Sequence, residues 1–187
     1  METAIITAAD SGDWIQTFSG KKMFPLNPQP DQISILDIAH ALACECRFTG
    51  HCREFYSVAQ HSVLVSKQVP ERDALWGLLH DASEAYLCDF ARPLKRHSKL
   101  GDLYREAENR LMAVICEVFG LPPTMPESVK IADTRMLLTE RDELMPKGEP
   151  WKANGLEPYE GLEIVPWEWM EAEIKFLNRY LYLRGVG

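Results

Sequence analysis

Ala74-Leu75-Trp76-Gly77-Leu78-Leu79-His80-Asp81-Ala82-Ser83-Glu84-Ala85-Tyr86 is the stretch that decides how this chain is read. It opens as an apolar helical run and then sets a histidine beside a carboxylate, with a second carboxylate one turn on. An unpaired charge inside a dry helix costs several kcal/mol, so adjacent His and Asp there call for something that neutralises them. A divalent cation does so, because imidazole and carboxylate are both ligands for zinc, iron, manganese and cobalt. Residues four apart share a helix face, which sets Glu84 beside an ion held by His80 and suits a general base better than a third ligand. A surface pair or a helix-end cap is the ordinary alternative for a His-Asp dipeptide.

Two further stretches strengthen the cation reading. Upstream, Ser57-Val58-Ala59-Gln60-His61-Ser62-Val63-Leu64-Val65 is an apolar helix interrupted by one histidine. Downstream, Val129-Lys130-Ile131-Ala132-Asp133-Thr134-Arg135-Met136-Leu137-Leu138 carries one aspartate in its midst. Alone, His61 reads as a core histidine and Asp133 as a partner of Lys130 or Arg135. Together, His61, His80, Asp81 and Asp133 can converge from three helices on one ion, leaving positions open for water and a phosphate oxygen.

The order His…His-Asp…Asp resembles the HD-domain metal-dependent phosphohydrolases. Ser57-Val58-Ala59-Gln60-His61-Ser62, His80-Asp81-Ala82-Ser83-Glu84 and Asp89…Pro93-Leu94-Lys95 are similar to the branch containing bacterial deoxynucleoside 5'-monophosphatases. Thr17-Phe18-Ser19-Gly20…Pro25-Leu26, Asp37-Ile38-Ala39-His40-Ala41-Leu42 and Arg47-Phe48-Thr49-Gly50-His51 resemble a compact, often phage-encoded group that includes dATP triphosphohydrolases. The likeness covers roughly residues 14–145. It implies an all-α HD-domain bundle with an extended N-terminal arm. The cofactor would be one divalent ion (Co2+, Mn2+, Zn2+ or Fe2+), and the reaction hydrolysis of a small deoxynucleotide by in-line attack of water.

In that reading His61, His80, Asp81 and Asp133 are the metal ligands. Glu84 orients the water or manages its proton; otherwise it is a solvent-facing glutamate near a helix end. Asp89 holds a second cation, Mg2+, or protonates the leaving oxygen, against the alternative of capping a turn. Phosphate oxygens need cationic or N–H donors, for which Arg47, Arg92 and Lys95 stand ahead of Arg53 and Lys130. In the monophosphatase branch an Arg-aromatic pair ahead of the first histidine contacts the nucleotide. Arg47-Phe48 is similar, with Phe where that branch has Trp, so Phe48 either stacks on a base or packs in the core. His51 and Tyr86 complete the pocket expectation; His40 is expected to pack.

Bulk properties narrow the classes. A chain of 187 residues, 46% hydrophobic and 26% charged, fits one soluble domain burying roughly 70% of its unfolded surface. A net charge of −8 argues against a nucleic-acid-binding surface but leaves room for a small phosphorylated ligand. Met1–Asp10 lacks a basic, apolar leader pattern and no window is apolar enough to span a bilayer, so a cytoplasmic protein is expected. Cys44, Cys46, Cys52, Cys88 and Cys116 fit no common zinc spacing and read as reduced thiols, small buried hydrophobes rather than ligands.

Along the chain, residues 1–32 read as an ordered arm, with a short strand near 14–18 and Pro25, Pro28 and Pro30 forbidding a helix. Helices are expected from Ser34 through Ala43, over 57–67, over 72–86 as one continuous piece, over 100–119 and over 126–143. In the fourth, Leu103, Ala107, Leu111, Val114, Ile115 and Val118 form the apolar stripe. A loop with Asp89, Arg92 and Pro93 is expected to lead from the third helix to the fourth. Residues 146–166 are expected as a surface loop or a partner-contacting extension, and 167–183 as a last helix with Met170, Ile174, Leu177 and Leu181 in period. That helix and the 146–166 loop suggest a homo-oligomer. The rival outside the enzyme class is a non-catalytic nucleotide-binding protein on a retained HD fold.

Overall fold

A computed structural model describes residues 13–151, 153 and 155–186. The first part of the arm, and with it the reading of Met1–Asp10, lies outside the described residues. The described residues are all-α apart from one small hairpin. Strands β1 (Ile15–Gln16) and β2 (Lys22–Met23) pair antiparallel, Ile15 opposite Met23 and Gln16 opposite Lys22. This is the short strand and turn expected near Ser19-Gly20. Asp37, buried in the first turn of α1 (Ile35–Cys44), accepts the Ser19 backbone N–H at 2.6 Å and its hydroxyl at 2.8 Å, which fastens the arm to the bundle.

Helix α2 (Val58–Lys67) starts where sequence predicts, because the Ser57 hydroxyl accepts the Gln60 N–H at 3.1 Å and satisfies one orphan donor of the first turn. The segment between α1 and α2 closes on itself: Arg47 N–H donates to Tyr56 C=O and Val58 N–H to Glu45 C=O.

The continuous helix expected over 72–86 is instead divided. Helix α3 spans Ala74–Leu79 and α4 spans Glu84–Leu87. Between them the bonding tightens to three-residue steps, Ala82 N–H to Leu79, Glu84 N–H to Asp81 and Tyr86 N–H to Ser83. Neighbours on a regular α-helix point about 100° apart; the tightened turn lets adjacent His80 and Asp81 address one point.

The region after Cys88 also differs from expectation. In place of a continuous loop, Arg92–His97 forms a short helix, α5, because Pro93 sits at the first positions of a helix, where its missing N–H is no loss. Helix α6 (Lys99–Phe119) begins at Ser98, whose hydroxyl accepts the Gly101 N–H, and ends at Gly120 in the left-handed region, φ 67°. Its buried face is Ala107, Leu111, Ile115, Cys116 and Phe119, while Leu103 and Val118 of the expected stripe face out. Helix α7 (Glu127–Leu144) follows and carries Asp133.

Helix α8 (Trp169–Leu183) packs on α1, α2 and α3 through fully buried Ala172 and Phe176. Burying such a phenylalanine stabilises by about 1.5–3 kcal/mol. Met170, Ile174 and Leu181, expected to make its packed stripe, are exposed. The segment before it has no regular structure but is tied down. Tyr159 N–H donates to Thr139, Arg135 to the Glu157 and Pro158 carbonyls, and Gln60 brackets Val165 and Trp167. Among the thiols Cys116 is buried, Cys46 and Cys52 are half-buried, and Cys44 and Cys88 are exposed, so the buried-hydrophobe reading holds for Cys116 alone. No helix among the described residues is long and apolar enough to cross a membrane.

Candidate metal centre

Two apolar clusters flank one polar junction. The first joins α1, α2, α3, α6 and α8; the second joins Tyr56, Val65, Trp76 and the inner face of α7. Gly77 eases the spacing: a Cβ there would meet the Ser66 Cα at 3.0 Å, so a side chain at this position would press α3 away from α2. That approach brings the His61 and His80 Nε2 atoms to 3.2 Å.

Both imidazoles are oriented from behind. His80 Nδ1 lies 2.8 Å from the Gly77 carbonyl oxygen, an acceptor only, and so carries the proton of that bond. His61 Nδ1 lies 2.6 Å from Glu140 Oε1 and donates to it. Each ring therefore aims its other nitrogen into the junction. Two carboxylate oxygens join them: Asp81 Oδ2 lies 3.2 Å from His80 Nε2 and 3.6 Å from His61 Nε2, and Asp133 Oδ1 lies 3.9 Å and 3.3 Å from the same atoms. The atoms on His61, His80 and Asp81 are all within 4.8 Å of one another; Asp133 stands slightly farther out and closes the fourth side. Four electron-pair donors facing one point with their protons turned outward are the donor set a divalent cation requires, and the backing acceptors are the usual outer partners of metal-binding imidazoles. The residues fit such an ion.

The electrostatics follow from this crowding. Burial pushes the Asp81 carboxyl up, but His80 and then His61 and Arg47 outweigh it and hold Asp81 far below the carboxylate range. Asp133 is likewise held down, against burial, by His61 and His80. Burial and Arg47 press the His61 imidazolium down, yet Glu140 and Asp133 raise its pKa to about 9. A positive charge at the junction is thus favoured, whether a proton or a metal ion supplies it.

Glu140 is the residue that sequence reasoning missed. It is fully buried and accepts from His61, from the Tyr56 hydroxyl at 2.8 Å and from Arg47, whose Nε lies at 3.1 Å. The signal was present: Glu140 stands seven residues, two helical turns, beyond Asp133 and so shares its face.

The other expected residues divide. Arg47 is buried with its guanidinium on Glu140 and within 3.7 Å of Asp81. Phe48 and Thr49 both hold φ 55°, a rare conformation for residues with side chains, and the Phe48 ring packs against Arg47 and Trp151. Glu84 is buried, and its Oε2 has no hydrogen-bond partner among the described residues. Burial, then Asp81 and Asp89, raise its pKa well above the carboxylate range, so it carries a proton. The Asp89 backbone N–H is held by Glu45.

A cleft of about 480 Å3 is lined by His80, Asp81 and Asp133 together with Ser83 and Lys95 and the apolar Trp76, Met112 and Cys116. Lys95 pairs there with Glu108. Arg92 is exposed but lies within electrostatic reach of Asp133 and Asp81. His51 is exposed and does not line this cleft. Tyr86 lines a separate cleft with Phe18 and Asp37, where its hydroxyl accepts the Ser34 N–H. His40 packs between Phe18, Trp169 and Glu173, as expected.

Fold and site together define an all-α protein with a buried His/Asp cluster able to hold a metal ion beside an open cleft. No protein-family model matches the chain. It is 44% identical over 169 residues to the uncharacterized protein YfdR of Escherichia coli (strain K12), a match that covers 89% of this chain and 93% of that protein. It is 37% identical over 144 residues to the uncharacterized protein RCAP_rcc00048 of Rhodobacter capsulatus, covering 70% of this chain and 72% of that one. The chain belongs to the family of YfdR.

Proposed function

We propose that the chain is a metal-dependent phosphohydrolase of small deoxynucleotides, of the HD-domain type. The observation that carries the reading is the convergence of His61, His80, Asp81 and Asp133 on one point, with both imidazole tautomers fixed from outside. A divalent ion held there would lower the pKa of water and polarise a phosphoryl oxygen. The surrounding residues supply the rest. Lys95, which lines the cleft, and Arg92, within electrostatic reach of Asp133 and Asp81, offer cationic donors for the phosphate oxygens. Glu84, buried and protonated, holds a proton beside the reacting groups. Trp76, Met112 and Cys116 give the cleft apolar lining for a nucleoside, and its volume lies in the range of small-ligand pockets. The net charge of −8 supports a small substrate over a nucleic acid.

Within this class the resemblance of Thr17–Gly20, Asp37–Leu42 and Arg47–His51 to the phage group favours dATP triphosphohydrolysis, with 5'-deoxynucleotidase activity on dNMPs as the second reading. The test is to load the protein with cobalt or manganese, incubate it with each dNTP and dNMP, and resolve the products. Deoxyadenosine and triphosphate from dATP alone establish the first. Phosphate from several dNMPs, with dNTPs untouched, establishes the second. No turnover by metal-loaded protein overturns both in favour of a nucleotide-binding protein.

A further inference from the structure

Between α1 and α2 the backbone takes an uncommon path. Phe48 and Thr49 hold φ 55° and Gly50 follows at 78°, so three successive residues lie in the left-handed region. Residues with side chains stay there only where their surroundings over-determine it, and such strain gathers at switch segments. The ties that hold the turn are few. The Arg47 carbonyl accepts the Gly50 N–H at 3.1 Å and the Phe48 carbonyl accepts the His51 N–H at 3.0 Å. Its ends are fixed at Cys46, bridged to Ser57, and at Arg53, whose N–H reaches the Leu144 carbonyl.

The remaining tie is a thiol. Cys52 Sγ donates to the Arg47 carbonyl oxygen at 3.5 Å. This folds the Cys52 side chain back across the turn, against the residue that follows Cys46, and brings the two thiols into hydrogen-bonding contact. Both are half-buried, within reach of a small reagent. Burial first, and then Cys46, push the Cys52 thiol up to about 11, so it rests as a thiol. The other cysteines are placed differently: Cys44 faces His40 and Cys116 is buried.

We propose that Cys46 and Cys52 are a redox-sensitive pair, whose reversible disulfide locks the left-handed turn between them. The bond closes a ring around Arg47, Phe48, Thr49, Gly50 and His51. Arg47 makes that ring consequential, because its guanidinium sits on Glu140 and within 3.7 Å of Asp81. The inference rests on the geometry of the turn and is independent of the proposed reaction. The oxidant is a small disulfide such as oxidised glutathione. One protein thiol loses its proton and attacks it, forming a mixed disulfide and releasing one small thiolate. The second protein thiol, deprotonated in turn, displaces the other small thiolate and forms the Cys46–Cys52 bond. Two electrons pass to the small disulfide, and the two protons end on its released thiols. Cys52 then has no S–H to donate to the Arg47 carbonyl, and a covalent tie replaces that weak one.

The full chain, reduced and then equilibrated with oxidised glutathione, tests this. On alkylation after denaturation, three of the five cysteines are expected to react, and all five once dithiothreitol is added. Trypsin cuts after Arg47 and Arg53, so the bond is read as a link between the peptide ending at Arg47 and residues 48–53. Cys44 shares the first of these peptides, so Cys44→Ser is expected to keep the link, while Cys46→Ser and Cys52→Ser abolish it. The lock is read by hydrogen exchange: the Gly50 and His51 amides are expected to exchange at least about tenfold more slowly in the oxidised chain. Cys46 and Cys52 left alkylatable, or capped singly by glutathione, overturn the proposal, as does a link lost in Cys44→Ser. A link that leaves exchange at Gly50 and His51 unchanged overturns it as well, since the bond would then lock nothing.

Discussion

Glu140 is the side chain on which the junction depends most, although it would touch neither metal nor substrate. It takes the His61 Nδ1 proton, the Tyr56 hydroxyl and the Arg47 guanidinium in a fully buried spot. Burial alone would raise its carboxyl, but Arg47 and His61 hold it below the ordinary range, so it remains an anion. Glu140→Gln keeps the shape and loses the charge. Arg47 is then buried against a neutral amide, and the single remaining oxygen can no longer accept from both the His61 side and the Arg47 side. Removing one member of a buried ion pair costs about 3–5 kcal/mol, and losing an outer partner of a metal-binding imidazole weakens metal affinity about 10–100-fold. Chemical denaturation and a competitive chelator titration are expected to show both losses together. Glu84→Gln separates structure from chemistry at the next position. Its carboxyl is already neutral, so the amide is expected to leave metal content and stability nearly unchanged while lowering turnover about 10²–10⁴-fold. A variant with wild-type turnover would remove Glu84 from the reaction.

At the scale of elements, the closeness of α2 and α3 is what makes one site out of two helices. Gly77→Ala would place a Cβ against the Ser66 backbone and Val69. Overpacking of this kind costs about 1–3 kcal/mol, and because the relief is to move α3 outward, His80 moves with it. Lower thermal stability together with weaker metal binding is the expected result; lower stability alone would mean that the turn at 80–83 flexes independently of α3. Glu45, at the end of α1, joins that helix to the Asp89 loop by accepting the Asp89 N–H. Burial and the nearby Asp89 and Asp81 lift its pKa to about 7, although the Asp89 hydrogen bond acts the other way. A carboxyl raised from about 4.5 contributes its full share of stability below that pH and loses it as pH rises through 7. Glu45→Gln keeps the acceptor and cannot ionise. The variant is therefore expected to match the wild type near pH 4 and to exceed it by about 1–2 kcal/mol above pH 7, a figure that allows for partial solvent screening. Most helix positions could be read from apolar period and from Ser57 and Gly120 as ends, because those signals are local. The division of 72–86 could not, since nothing in Ala82-Ser83 breaks a helix and the tightened turn exists only where His80 and Asp81 meet His61 and Asp133. Leu103, Val118, Met170 and Ile174 have helical spacing, but which side of a helix is covered depends on its neighbours. The four residues of the cluster were legible because His and Asp stand out in apolar runs; Glu140 follows the polar Thr139 and precedes Arg141, and so does not stand out from its sequence.

For the whole molecule, the junction is a concentration of unlike demands inside one cooperative unit. Two carboxylates are pressed down and one imidazole is pulled up, with apolar clusters on both sides leaving water access only through the cleft. A metal ion that binds the folded chain and not the unfolded one adds RT ln(1 + [M]/Kd) to its stability, about 2.7 kcal/mol at a hundredfold excess over Kd. For a chain of this length each kcal/mol moves the melting midpoint by about 2–4 °C. Chelation of a saturated sample is therefore expected to lower Tm by roughly 5–11 °C. The control is Asp133→Ala. Asp133 is more than a quarter exposed at its side chain, so its removal need not unfold the domain, yet it takes away one of the four donors. The variant is expected to melt at nearly the same temperature with and without chelator and to retain little metal after gel filtration. Metal content is read by elemental analysis and Tm by calorimetry, so the outcome does not wait on knowing the substrate. Should the wild type melt alike in both conditions while Asp133→Ala keeps its metal, the ion is bound elsewhere and His61, His80, Asp81 and Asp133 form a proton-holding cluster instead. A chelator shift present in the wild type and absent in the variant would tie the ion to this junction and make the substrate panel the next step.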